Sequence, residues 1–507
     1  MRTLAEIKAF TREAARILAR EKDLASYEIY CATAEHRIAR LSYTSDIPSR
    51  GLEEFKSLHA DGFQLRVAMR RDPHEVGAAF EAGDFSSDSV RDAIRRARSA
   101  AVVDPHFSGF PATPLGKVGA SEKSDLSRVG DGAIAAAAWD VLNGALTTFA
   151  KRRAEHRTDH PGLIIGGDVS VIRDRIAIFN SNFTEVRSDE SAHFNASVTS
   201  IIESLDAKGT ATALGDSAAA MRREAHVLGR DAVRRALALP DGARPRAGKV
   251  RVVLGPQPVA EILNYMVMGS LTTGSFHAAS SAYHAKFGAA VMDSRLSLVD
   301  DPAFRAGAIR RRISCEGIPT GRVDLIRDGK LVGLLSNFYD TNRMLTDEHR
   351  VEKLGAGASA KLDFPPLSGY RLGEGGGRRF DASPGSAGTN VVMRARDGVG
   401  DGELVRAVGD GIYVGRIWYT YPINGQRAGD FTCTITGDSY VIRDGKIAEP
   451  LAPNCLRINA NIAQVFEHPL AVGMRPRAAT VWGSPEAYYV PAIAAGSIAL
   501  AEVGATI

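Results

Sequence analysis

The sequence predicts an α+β protein: an N-terminal mixed α/β domain over residues 1–245, then a β-rich C-terminal domain over 246–507 opened by a strand-turn-helix. Three observations predict it. In the first half, apolar residues recur at helical spacing in several stretches, interleaved with alternating, strand-like runs. The segment Pro240-Asp241-Gly242-Ala243-Arg244-Pro245-Arg246 is rich in turn formers and has no periodicity, which marks a boundary. Beyond the helix that comes after it, the second half reads as strands and turns.

Taken in order, Thr3 and Glu6 have capping-box spacing, and Leu4, Ile7, Phe10, Ala14, Ile17 and Leu18 keep helical phase, so 4–20 is a helix. Tyr27–Ala32 and Ile38–Tyr43 are two β-like runs, and Phe63, Leu65 and Val67 alternate with polar or small residues as in a half-buried strand. Ser87 or Asp88 caps a helix with the stripe Val90, Ala93, Ile94, Ala97 and Ala101; a longer one runs from 131 to 153. Strand candidates come next at Leu163–Ile165, Val169–Ile172, Ile176–Asn180 and Phe194–Ile202, then a helix over Ser217–Leu237.

The second half opens with the apolar run Val250–Leu254, a Gly255-Pro256-Gln257-Pro258 turn, and a stripe of Val259, Ile262, Leu263, Met266 and Val267. That spacing is an amphipathic helix, with Pro258 suited to its first turn. Glu261, Asn264, Tyr265 and Met268 are expected on its other side. Ile-Arg-Asp-Gly-Lys occurs at 326–330 and again at 442–446. Asp-Gly between apolar runs predicts a type I′ hairpin at each, because both central residues need positive φ. Residues 355–390 read as a loop of a length that is usually functional or disordered.

At 507 residues the chain exceeds a single core, and domains of roughly 150–250 residues are expected. Lys+Arg 63 against Asp+Glu 59 leaves only +4, and no stacking platform accompanies the short basic clusters Arg95-Arg96-Arg98, Lys151-Arg152-Arg153 and Arg310-Arg311-Arg312. Solvated faces are the expectation for these clusters, and no nucleic acid is expected as a partner. Four scattered cysteines suit a reducing cytoplasm. No signal peptide is read at the N-terminus, and no run reaches the ~18 apolar residues of a membrane span, so no membrane partner is expected.

On the helix after Pro258, the apolar pair Ile262-Leu263 precedes Asn264, Tyr265, Met266, Val267, Met268 and Gly269. Further on come Asp300-Asp301-Pro302, Glu316–Thr320, Leu325–Leu331, Thr389-Asn390, Gly411–Val414, Gly429-Asp430-Phe431, Tyr440–Lys446 and Pro450. In order and spacing this series resembles the TldD/PmbA family of peptidase subunits, most specifically over 249–475. In the family's catalytic members the six helix positions read His-Glu-x-x-x-His, and a cysteine near the C-terminus completes the metal site. Here the corresponding positions are Asn264, Tyr265, Gly269 and Trp482. None is an imidazole, thiolate or carboxylate, the groups that a hydrolytic zinc site requires. The resemblance therefore implies the PmbA, or TldE, branch: a non-catalytic subunit with no catalytic or metal residues of its own. Zinc is then expected on a TldD-like catalytic partner, with unfolded or precursor leader peptides as substrate. Two rival readings are a stand-alone peptide-binding or scaffold protein, including a homodimer, and an autonomous hydrolase.

No other constellation replaces the lost one. His277 and His284 are seven apart, roughly 10 Å along an ideal helix and too far to share a metal. His226 comes two residues after Glu224 without a ligand spacing, and His74-Glu75 lacks a second histidine downstream at a metal spacing. Cys433 alternates with Phe431 and Ile435 and is expected as a buried strand residue, and Cys455, like Cys433, lies too early for the ligand. There is no G-x-S-x-G elbow or Walker loop, and Gly373-x-Gly375 does not lie between a strand and a helix.

Overall fold

The computed structural model describes every residue except 46, 48–50, 114–115, 117, 120–123, 154–161, 206, 239–241, 356–363, 374–376 and 504–507. Helix α1 (Leu4–Leu18) starts on the capping box: the Thr3 amide donates to Glu6 Oε2 at 2.6 Å, and the Glu6 amide to Thr3 Oγ1 at 3.2 Å. Two donors without partners inside the helix are thereby satisfied. Strands β1 (Leu24–Thr44), β2 (Lys56–Met69) and β3 (Glu75–Ala82) come next, then α2 (Ser87–Ser99), whose cap is Ser86 rather than Ser87 or Asp88. After β4 (Val102–Val103) come α3 (Asp131–Arg153), β5 (Leu163–Asn180), β6 (Arg187–Ile202), β7 (Ala207–Gly215) and α4 (Ala218–Leu237). The strands form one antiparallel sheet in the order β4-β3-β2-β1-β5-β6-β7.

Parity along β1 separates the two faces of that sheet. Ile29 and Cys31 join the core under α1 and α2, and Ala39 and Leu41 the core under α3 and α4. Tyr30, Ala32 and Ala34 face the other way and pack with Ile313, Cys315 and Phe380 from the second half of the chain. The N-terminal sheet is therefore buried on both sides.

Runs expected as separate strands are continuous. The pair of runs in 27–43 and the three in 163–180 are single strands, β1 and β5. Their polar interruptions are paired ions. Glu35 lies opposite Arg173 in the register, and its carboxylate is 3.3 Å from Arg173 Nη1 and 3.2 Å from Arg37 Nε.

Helix α3 is, by length and composition, apolar enough to cross a membrane, contrary to expectation. It is alanine-rich, and Ile134, Ala138, Val141, Leu142 and Ala145 are all buried in the core shared with α4.

Strand β8 (Gly248–Leu254) enters the second half and lies inside a nine-stranded sheet, between Ile493–Glu502 and Gly411–Val414. One edge of that sheet is Ile417–Pro422 and the other is Lys446–Pro450. A six-stranded sheet runs from Lys330–Leu331 through Val323–Arg327, Leu296–Asp300, Asn390–Ala395 and Ala487–Val490 to Arg477–Ala479. Both Asp-Gly hairpins form as expected: φ is 46° and 78° at Asp328-Gly329, and 50° and 69° at Asp444-Gly445. Each hairpin ends a sheet.

The expected loop 355–390 is partly tied down. Residues 356–363 and 374–376 lie outside the described residues, as do Pro240 and Asp241 of the boundary segment. The rest carries two short strands, Gly369–Tyr370 and Gly385–Ser386, and two fully buried arginines, Arg371 and Arg378. Nor is Arg310-Arg311-Arg312 a solvated face. Arg310 Nε is 3.0 Å from Asp216, Arg312 Nε is 2.8 Å from Asp189, and Arg311 is buried over the ring of Tyr370.

Candidate functional site

The site grows from β8. Gly255 caps the next helix, and its amide donates to Val414 O at 2.8 Å, which ties the turn to the neighbouring strand. Pro256 and Pro258 occupy the first turn of α5 (Pro256–Ile262), where their missing N–H groups are not needed. The helix then changes pitch. Leu263–Val267 is a π turn, closed by the Met268 amide donating to Leu263 O, and Met268–Ser270 is a 3₁₀ turn. An i→i+5 turn inserts one residue and rotates the rest of the helix by about 100°. That rotation explains one correction. Val259, Ile262, Leu263, Met266 and Val267 are fully buried as expected, but Met268 is buried too.

Glu261 is the second correction: it is 3 % exposed, not on a polar face. Gln257 Nε2 donates to its Oε2 at 2.9 Å, while Gln257 Oε1 accepts from the Ile417 amide at 3.0 Å. Burial pushes the carboxyl up to about 7, against the opposing pull of Arg416 and that hydrogen bond.

The widely separated motif positions converge. Tyr265 donates its hydroxyl to Trp482 O at 3.1 Å, across 217 residues of chain. Asn264 Oδ1 accepts from Tyr488 Oη at 2.9 Å. Tyr488 Oη also bonds closely to Glu486, whose other oxygen accepts from the Gly388 amide at 2.7 Å. A Cβ added at Gly269 would meet nothing within 4 Å, so this position faces open space. Trp482 is 73 % exposed and its ring lies 5.9 Å from that of Trp418.

This donor set is an amide oxygen already hydrogen-bonded, a phenol, a residue without a side chain and an indole. It does not fit zinc, which takes imidazole, thiolate or carboxylate. Among the described residues no three His, Cys, Asp or Glu side chains cluster at metal-binding distance. Cys433 is buried as expected, with its thiol pushed up by burial, and Cys455 donates to Ala452 O at 2.9 Å. His277 and His284 do not share a helix: the short helix Thr273–His277 ends at the first of them. His277 instead faces Asp347 at 3.3 Å and the ring of His106 at 5.5 Å.

The family model of the PmbA/TldA metallopeptidase C-terminal domain matches residues 247–502. The chain belongs to the TldD/PmbA family. Its fold is TldE-like: it is similar to TldE from Thermococcus kodakarensis, with a TM-score of 0.76 and 14% identity over 98% of this chain and 100% of that one. It is also similar to two proteins described as candidate modulators of DNA gyrase. The one from Bacteroides thetaiotaomicron has a TM-score of 0.71 and 15% identity, over 98% of this chain and 99% of that one. The one from Thermotoga maritima has a TM-score of 0.70 and 14% identity, over 98% and 100%. No curated protein matches the chain.

In this family member a seam of buried charges joins the second half of the chain to the N-terminal sheet. Asp300 Oδ1 accepts from the Thr389 amide at 2.6 Å, and burial lifts its carboxyl to about 7. Glu316 Oε2 accepts from the Phe338 amide at 2.9 Å, and burial lifts it likewise to about 7. Arg378 bridges Asp174 at 2.7 Å and Asp189 at 2.8 Å, and Arg371 contacts Gln64 and stands 3.8 Å from Glu28. Sequence reasoning missed Tyr488, which holds Asn264, and Glu486, which bonds Tyr488. Their only signal is a carboxylate just before the short strand Ala487–Val490, which carries two tyrosines.

Proposed function

We propose that this chain is the non-catalytic subunit of a TldD/TldE-type heterodimeric metallopeptidase. The enzyme is placed in the cytoplasm and acts on unfolded or precursor leader peptides, with zinc carried by a TldD-like partner. One observation carries the reading. The strand-turn-helix and its π turn bring Tyr265 and Trp482 together, yet no position in that constellation has a zinc donor. What this chain contributes is surface. Ile417–Pro422 is an edge strand; within it Tyr419 is 72 % exposed and Tyr421 48 %, and Trp482, whose ring lies near Trp418 of the same strand, is 73 % exposed. A free strand edge offers main-chain donors and acceptors to an extended peptide, and aromatic side chains supply contact area.

The test is to purify the chain alone and with a TldD-like subunit encoded in the same genome, then measure zinc content and peptide cleavage. The chain alone is expected to carry no stoichiometric zinc and to cleave nothing. The complex is expected to cleave, and to stop when the partner's histidines are replaced. Zinc bound at one equivalent by the isolated chain, or cleavage that survives its exhaustive purification, overturns the reading. Failure to form a stoichiometric complex favours the stand-alone binding protein or homodimer instead.

A further inference from the structure

Helix α1 borders a groove of about 390 Å³ that has no part in the proposed subunit role. Lys8, Arg12 and Arg16 line one wall, and none of them has an ion-pair or side-chain hydrogen-bond partner among the described residues. The arginines of α2 differ: Arg96 reaches Asp92 at 2.9 Å, and Arg98 reaches Glu21 at 2.5 Å and Asp23 at 2.6 Å. Half-buried Tyr27 and Phe179 and buried Val186 also line the groove and supply its apolar surface.

Lys8, Arg12 and Arg16 are spaced i, i+4, i+8, so successive charges advance about 6 Å along the helix. In an extended peptide, alternate side chains advance about 6.6–6.8 Å. We propose that this groove binds an extended acidic segment of another protein, with Asp or Glu at alternate positions facing Lys8, Arg12 and Arg16 and apolar residues between them packing on Tyr27, Phe179 and Val186. Glu185, which also lines the groove, disfavours a ligand charged on every side, such as a polyphosphate chain. The proposal does not depend on the subunit role.

The test uses the full chain and a fluorescent peptide of sequence Glu-Phe-Glu-Leu-Glu, read by anisotropy. Two controls accompany it: an isomer with the three glutamates contiguous, and a single-stranded oligonucleotide of equal charge. Binding of the alternating peptide is expected to weaken as salt rises. K8Q/R12Q/R16Q should weaken it roughly 10–100-fold, the sum of three exposed charge pairs. Arg12 is exposed, so R12E is a second variant whose folding is checked by its melting curve. No binding, equal binding of the contiguous isomer, affinity unchanged in both variants, or tighter binding of the oligonucleotide would each overturn the proposal.

Discussion

Asp300 accepts from both the amide and the hydroxyl of Thr389 and is 1 % exposed, yet burial dominates and holds its carboxyl near 7 rather than 3.8. A carboxyl raised in the folded state contributes stability that is complete below about pH 4 and is lost as pH rises through about 7. Asp300→Asn keeps an acceptor for Thr389 without the titration. It should match the wild type near pH 4 and gain on it by roughly 2–4 kcal/mol by pH 8, visible as a growing difference in Tm. Arg378→Met has the opposite sign. It leaves Asp174 without its guanidinium and removes one of the two that face Asp189, so a loss of about 3–5 kcal/mol is expected in denaturant titration. At this scale the sequence is legible where a residue's own neighbours decide its place. Cys433 reads as buried from its alternation with Phe431 and Ile435, and it is. Asp174 and Arg311 do not, because a charged residue reads as solvent-facing until a partner far along the chain is known.

Among elements, helices are legible because their stripes are local. Thr3, Ser217 and the apolar phase of α1, α3 and α4 place those helices within a residue or two. The strands β1 and β5 read as too short because paired ions look like turn residues. Close helix packing is also hidden: a Cβ on Gly229 would lie 1.8 Å from Val141 O of α3. Gly229→Ala should therefore cost about 1–3 kcal/mol by thermal melting, through separation of α3 from α4. The π turn of the motif helix escapes a reading that assumes 3.6 residues per turn. The i→i+5 bond here joins Met268 to Leu263, and Gly269 already lies in the 3₁₀ turn beyond it. N264H/Y265E/G269H/W482C restores the donor types that the family resemblance assigns to these positions. It is expected to bind close to one zinc ion per chain by elemental analysis, where the wild type binds none. A variant that folds but stays metal-free would show that the surrounding shell has drifted as well.

For the whole molecule, the α+β class and the order of its parts emerge from patterning, whereas the way its sheets join does not. The edge strand Ile417–Pro422, which carries Tyr419 and Tyr421, is the surface proposed above for an extended peptide. Tyr419→Ser with Tyr421→Ser should leave Tm nearly unchanged, since both residues are exposed, and should weaken peptide binding by the complex at least tenfold, as loss of aromatic interface anchors does. Unchanged peptide affinity by titration calorimetry would place the peptide-binding surface elsewhere.

The seam of Arg371 and Arg378 has a consequence for dissecting this protein. Both guanidinium groups belong to the region matched by the family model, whereas Glu28, Asp174 and Asp189, which face them, belong to the sheet before it. A cut at 246 parts Arg378 from Asp174 and Asp189, Arg312 from Asp189, and Arg371 from Gln64 and Glu28, so buried charges on both fragments lose their partners, although Glu28 keeps Arg66. Neither piece is a ready-made module for grafting, and swapping one with a relative succeeds only if both sides of the seam travel together.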